Sequence, residues 1–331
     1  MQRVLSGAIC AAALCLSAPA YALDGWRVES TTPVEAKTAG YDYIGFDQST
    51  NKVFLGHRKD GLQVFDPETK KVVGVIAGSK EHGGNSTVPI PEFDLGLVNN
   101  QDGTITPFKL STLQAGESIN VGHPIDTSHY DPASKRIVVN VEADKDSTEL
   151  VVIDVPSLKI AGTIKVPTKR AEHAQADGKG NLYLASRDPA KVYRIDTKEM
   201  KITGEWPTPG CAQTTGLAVD VANKRIFLGC RTSGDTKAVM AVMNADTGAI
   251  IFKGEIGNGN DGLAFDPKSK RIFTSNSGAP NINVFEQVDA DHYTPLDAVV
   301  THPPVKVLAY DPKNEKLYSM GMEVGDPSTF A

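Results

Sequence analysis

HYDPASKRIVVN (129–140) holds an Asp, a short polar turn and a β-rich run, and the same phrase returns along the chain. It reads GFDQSTNKVFLG at 45–56, AQADGKGNLYLA at 174–185, AVDVANKRIFLG at 218–229, AFDPKSKRIFTS at 264–275 and AYDPKNEKLYSM at 309–320. The turn aspartates are Asp47, Asp131, Asp177, Asp220, Asp266 and Asp311, separated by 84, 46, 43, 46 and 45 residues. The first gap is twice 42, so a divergent unit lies inside it. That unit is 86–110, which keeps the second half of the pattern and lacks the turn Asp.

Each unit continues with a second phrase, such as LQVFDPETKKVVGVI (62–76) or KVYRIDTKEMKITGEW (191–206). Apolar and polar residues alternate around an Asp-containing turn, the pattern of a β-hairpin. Every repeat therefore encodes four short strands, a to d. Seven such antiparallel units predict an all-β, seven-bladed β-propeller. Arrayed sandwiches are the competing fold and would need repeats of about 90–100 residues. Strands a line the channel and strands d lie outermost, with residues 26–30 expected to close the ring as an N-terminal strand. After 317–320 little chain remains, so the last blade is expected to be incomplete, through either a very short strand or a truncated chain.

The 331 residues are 40% hydrophobic and 22% charged, a globular balance able to bury a core. Residues 1–22 read as a secretory signal peptide: Arg3, an apolar stretch from Val4 to Leu16, then the small-x-small pattern Ala20-Tyr21-Ala22. Leu14 before Cys15 argues against a lipoprotein. Removing these 22 residues, one of them basic, leaves 309 and moves the charge from −6 to −7. The expectation is a periplasmic or secreted bacterial protein, a monomer without a membrane span, its residues 23–331 forming one propeller domain.

Cys10 and Cys15 leave with the signal, and Cys211 and Cys230 remain as two buried thiols or one disulfide. Cys211 precedes strand a of the fifth repeat and Cys230 follows its strand b. Both sit at the top end of neighbouring strands, which favours the disulfide.

Five positions before the turn Asp lies the start of strand a, at the upper channel mouth. That offset gives Asp42, Asp126, Glu172, Thr215, Asp261 and Lys306, with His82 or a neighbour taking the place in the divergent second repeat. Converging carboxylates repel, and call for a cation, a shared proton or a hydroxyl-bearing ligand. The alternative is a solvated mouth whose acids bond to backbone N–H groups. A divalent cation is admissible but nothing in the sequence requires one. His57, His82, His123, His173 and His302 are expected on the top face, without a ligand-pair spacing such as HxxxH. Residues 78–91 form a Gly-rich insert long enough to lid the channel. No Gly-x-Ser-x-Gly elbow, Walker loop or CxxC occurs.

The strand-b phrases KVFLG, LGLVNN, RIVVN, NLYLA and RIFLG resemble the repeated run of the YVTN family, the YncE-like secreted bacterial propellers. YDYIGFD (41–47), AEHAQADGKGNLYLA (171–185) and NDGLAFDP (260–267) resemble a periplasmic branch of it. The resemblance covers nearly the whole mature chain and implies a mostly non-enzymatic seven-bladed protein. The wider superfamily's lactonases imply a second possibility, a channel metal held by carboxylates and Asn. Thr215 and Lys306 depart from that pattern.

Three functions follow in order. The first is a propeller that binds a small polar molecule, a cation or a protein at its top face, with no catalytic residues. The second is a metal-assisted lactone hydrolase resting on Asp42, Asp126, Glu172 and Asp261. Third comes single-stranded nucleic-acid binding, disfavoured by the acidic charge and by 7% aromatic content, because such grooves need cations and stacking rings.

Overall fold

The turn aspartates set the local geometry. In a computed structural model, which describes residues 25–36, 40–142, 147–321 and 329–330, the Asp131 carboxylate accepts the backbone N–H groups of Ala133 and Ser134, both at 3.2 Å. The same cap recurs at Asp47, Asp220, Asp266 and Asp311. A short acceptor side chain that bonds N–H groups two and three residues on stabilises the turn without other partners. Each turn then exits through one left-handed residue, Asn51, Lys135, Lys224, Lys270 or Glu315, at φ of 53–55°. That conformation feeds the right-handed twist of the next strand. The residues of the expected signal peptide lie outside the described ones.

Six sheets are each made of consecutive strands running a to d. They begin at Tyr41–Asp47, Gly84–Ile90, Ile125–Asp131, Arg170–Ala176, Thr214–Asp220 and Asn260–Asp266. These are blades one to six. In the sixth, Val299–Val300 also pairs with strand c, beside Tyr293–Pro295. A further sheet runs Val305–Asp311, Lys316–Gly321, Thr329–Phe330 and Thr32–Pro33, so both ends of the chain contribute. The expected seven full blades are thus corrected to six complete blades and one composite sheet, whose outer two strands have two residues each. Residues 26–30 are not the closing strand. Trp26 instead packs edge-on against Phe273 of blade six, ring centroids 4.4 Å apart, and Glu29 pairs with Lys316 at 2.8 Å. Nor is 78–91 a lid. It supplies a four-residue helix, Ser79–His82, and strand a of blade two.

Burial follows strand position. Strand b of blade five, Arg225–Cys230, is buried at every residue, whereas strand d of blade one, Lys71–Val75, is largely exposed. Strand b is covered on both faces by neighbouring sheets, so its sequence is a continuous apolar run. An apolar cluster fills each gap between neighbours. Phe54, Leu62, Val64 and Phe108 join blades one and two, and Tyr41, Leu55, Ala309 and Met320 join the composite sheet to blade one. The inner strands pack side by side in a cycle that returns from Val305–Asp311 to Tyr41–Asp47. Burying such side chains is worth about 1.5–3 kcal/mol each, and closure provides that burial for every sheet.

Some turn aspartates also fasten adjacent blades. Thr197 Oγ1 donates to Asp131 Oδ2 at 2.6 Å, and Gln287 Nε2 donates to Asp220 Oδ2 at 2.8 Å. Gln287 and Asp220 are both buried. Asp220→Ala should therefore cost about 2–4 kcal/mol, because it strips the turn and leaves the buried Gln287 amide with only its longer bond to Tyr293, at 3.4 Å, among the described residues. Among the described residues the Asp177 carboxylate bonds only within its own turn, to Lys179 and Asn181, and Asp177→Ala should cost about 1 kcal/mol. Urea unfolding of the two variants measures both, and equal losses would contradict the fastening role of Asp220.

Candidate functional site

The upper channel mouth is shaped by one backbone irregularity repeated around the ring. Where strands a and b pair, the register shifts at the start of strand a in every sheet: between Tyr41 and Ile44, Gly84 and Ser86, Ile125 and Thr127, Ala171 and Ala174, Thr214 and Gly216, Asn260 and Gly262, and Val305 and Leu308. The residues read from the sequence, Asp42, Asp126, Glu172, Thr215, Asp261 and Lys306, all fall inside these shifts. A bulge leaves one residue out of the ladder and re-aims its side chain.

In blade two Gly84 pairs with Asn100 and Ser86 with Asn99, so Asn85 is the bulged residue. His82 is displaced from this position. It ends the short helix, part-exposed, with Nδ1 2.5 Å from Asp102 Oδ2. Deleting the turn Asp from this repeat removed the reference point for counting, which is why the sequence misplaced it.

A second set of residues, just beyond strand b, ties the ring positions together. Arg58 pairs with Asp42 of its own blade, and its Nε donates to Asn85 Oδ1 at 2.8 Å. Asn85 in turn donates to the backbone oxygen of Asp126 at 3.1 Å. Arg187 Nη1 donates to Glu172 Oε1 at 3.1 Å, while Nε and Nη2 reach Gln213 Oε1 in blade five at 3.2 and 3.1 Å. Arg231 pairs with Asp261 of the next blade and donates from Nε to the Asn260 carbonyl at 2.9 Å. Lys306 pairs with Asp42, and Thr215 Oγ1 donates to the Gln213 carbonyl at 2.9 Å. Sequence reading missed Arg58, Arg187 and Arg231. Their signal was a fixed offset: Arg58 and Arg231 stand eleven residues after their turn Asp, and Arg187 ten.

The mouth is therefore an ion-paired circuit, not a bare ring of carboxylates. Among the described residues no group of three or more His, Cys, Asp or Glu is arranged to hold a metal. Cys211 and Cys230 are joined in a disulfide with Cα atoms 5.2 Å apart. The bond ties the segment carrying Gln213 and Thr215 to the strand end that carries Arg231.

Below the mouth lies a cavity of about 290 Å³, lined by Tyr43, Thr127, Ser128, His129, His173 and Tyr310 among others. Tyr43 OH donates to Asp126 Oδ2 at 3.3 Å. Burial, then the charges of Asp126, Glu172 and Asp42, hold the Tyr43 phenol protonated far above its usual range. His129 and His173 meet edge to face, centroids 5.3 Å apart. The Ala174 N–H donates to His129 Nε2 at 3.2 Å, so that nitrogen carries a lone pair. His173 lies within strand a and not in the preceding loop, while His129 was not among the expected residues at all. The other expected histidines differ: His57 is buried against Tyr41, and His123 and His302 are exposed.

Burial pushes the His173 imidazole down to about 4, and burial plus the nearby His173 pushes His129 well down too. The unfolded chain, with ordinary imidazoles near 6.5, then binds protons that the folded one refuses. Stability should fall as pH drops from about 6.5 to about 4, by roughly 2–3 kcal/mol through His173 alone. Urea midpoints at pH 7 and 4.5 should show a smaller loss in His173→Asn than in wild type; identical losses would remove His173 as the cause.

No family model matches the chain, and no curated protein sequence does. Solved structures do. A chain of "Crystal Structure of Mitotic Checkpoint Complex" superposes with TM-score 0.77 at 14% identity, covering 99% of this chain and 98% of that one. "Structure of U3-55K" gives TM-score 0.77 at 8% identity over 92% and 99%. "Kuenenia stuttgartiensis Hydrazine Synthase" gives 0.73 at 14% over 92% and 98%. At such identities the likeness establishes the fold alone: the chain is a β-propeller of four-stranded antiparallel blades.

Proposed function

We propose that the protein is a non-catalytic binding propeller whose ligand site is the upper channel mouth, formed by Asp42, Asn85, Asp126, Glu172, Thr215, Asp261 and Lys306. The observation that carries this is the bulge repeated at the same place in every sheet. It aims these side chains at one opening while cross-blade arginines fix their positions. Preorganised polar groups on strand ends, above a cavity, are what selective binding requires. Assignment to the YncE-like YVTN propellers is part of the same proposal and rests on the strand-b phrases. A periplasmic or secreted location is compatible with the disulfide and with the lack of a helix long and apolar enough to span a membrane among the described residues.

The lactonase alternative is weaker. Asp42, Glu172 and Asp261 are already held by cationic side chains, and a divalent ion would have to displace them. Native mass spectrometry of protein isolated from a periplasmic extract tests the binding proposal. A small-molecule adduct is expected on wild type and should be lost in Arg58→Gln or Arg187→Gln under conditions where circular dichroism shows each variant folded. No adduct on fresh protein, or equal retention by both variants, would overturn it. Hydrolysis of gluconolactone that requires an added divalent ion would overturn the non-catalytic part.

A further inference from the structure

The mouth is not electrically uniform. On the side of blades four to six, three guanidinium groups, Arg170, Arg187 and Arg231, face two carboxylates, Glu172 and Asp261. Arg170 Nε and Arg187 Nη1 both donate to the same oxygen, Glu172 Oε1, at 3.1 Å each. One carboxylate oxygen thus serves two cations, and the sector keeps an excess positive charge. Arg187 and Arg231 side chains are only 20% and 21% exposed, whereas Arg170 is 62% exposed at the rim. Burial and the nearby Arg187 lower the Arg231 pKa, with Arg170 adding to the effect, so these cations crowd one another.

Donor capacity is left over. Arg170 bonds through Nε alone and Arg231 through Nε and Nη2. Among the described residues the two terminal nitrogens of Arg170 and Nη1 of Arg231 meet no acceptor. Guanidinium groups are planar forks that match the two oxygens of a carboxylate or two of a phosphate. The corner is also held firmly. Gln213, in left-handed backbone at φ 47°, braces Arg187, and the Cys211–Cys230 disulfide sits one residue before Arg231. Thr214 pairs with Cys230 across the strands, which fixes the spacing of the two arms.

We infer that the Arg170–Arg187–Arg231 corner of the mouth binds an oxyanion group of the ligand, a carboxylate or a phosphate. The inference rests on the mouth being the ligand site and names the chemistry it selects. An anion there offsets the surplus cation, accepts the leftover N–H groups and relieves the repulsion among the arginines. On the opposite side of the mouth Asp42 holds one guanidinium, Arg58, and one ammonium, Lys306, so the second cation there is a point charge and not another planar fork.

Calorimetric titration of the full chain with sodium succinate and with sodium phosphate, at ionic strength held constant with sodium chloride, tests this. Saturable binding of at least one is expected, and the stronger of the two identifies a carboxylate or a phosphate ligand. Loss of one charge-assisted contact in Arg170→Gln should weaken it about tenfold, and Arg231→Gln should weaken it at least as much. Arg170 is exposed, so its variant stays informative if Arg231→Gln fails to fold. Flat titrations with both anions, or binding unchanged in Arg170→Gln, would overturn the oxyanion corner. An adduct lost in Arg58→Gln together with flat anion titrations would overturn this inference while sparing the binding mouth.

Discussion

Everything in this molecule depends on burying strand b from both sides. A strand such as Arg225–Cys230 or Lys52–His57 is apolar on each face, and a single four-stranded sheet covers neither. Each sheet needs a neighbour on both flanks, and only a closed ring gives every sheet two. This is why the chain ends are recruited, two residues at a time, to finish a sheet that would otherwise expose Tyr318 and Met320. The closing pairs themselves are small. Their effect is large because they complete an interface between the composite sheet and blade one.

Closure carries a consequence at the top of the ring. Inner strands that converge on an axis leave little room, and the pairing shifts register at the start of strand a in every sheet. The shift turns one side chain per blade toward the mouth. Charged groups brought together in this way are costly unless paired; Arg58 and Arg187 satisfy Asp42 and Glu172 within their own blades, and Arg231 satisfies Asp261 across a blade boundary. Arg58 with Asn85, and Arg187 with Gln213, therefore bridge neighbouring blades while they pair the ring carboxylates. The disulfide reinforces the sector that carries the surplus positive charge.

Legibility in the sequence tracked how local each interaction is. Asp131 and Asp220 were readable because an aspartate that caps the next two N–H groups needs no distant partner. Six ring residues followed by counting back from those turns. Blade two lost its turn Asp, so the count failed there and His82 stood in for Asn85. Residues 26–30 read as a strand by alternation, but the available edge accepts Thr32–Pro33, while Trp26 finds its place on Phe273. Arg58, Arg187 and Arg231 went unread, since their partners lie 15 to 30 residues away and in part on another blade. His129 was hidden for a similar reason: only the curvature of the ring sets it against His173.

By itself the sequence determined the repeat, the hairpin turns, the antiparallel four-stranded unit and the proximity of Cys211 and Cys230, because each arises from contacts between residues near in the chain or fixed by the repeat. Tertiary structure alone decided how the ring closes, which residue of blade two takes the ring position, and that Asp42, Glu172 and Asp261 are ion-paired. Those outcomes depend on register shifts and on side chains meeting across blades, and a repeat period is the same whichever partner a charged group finds.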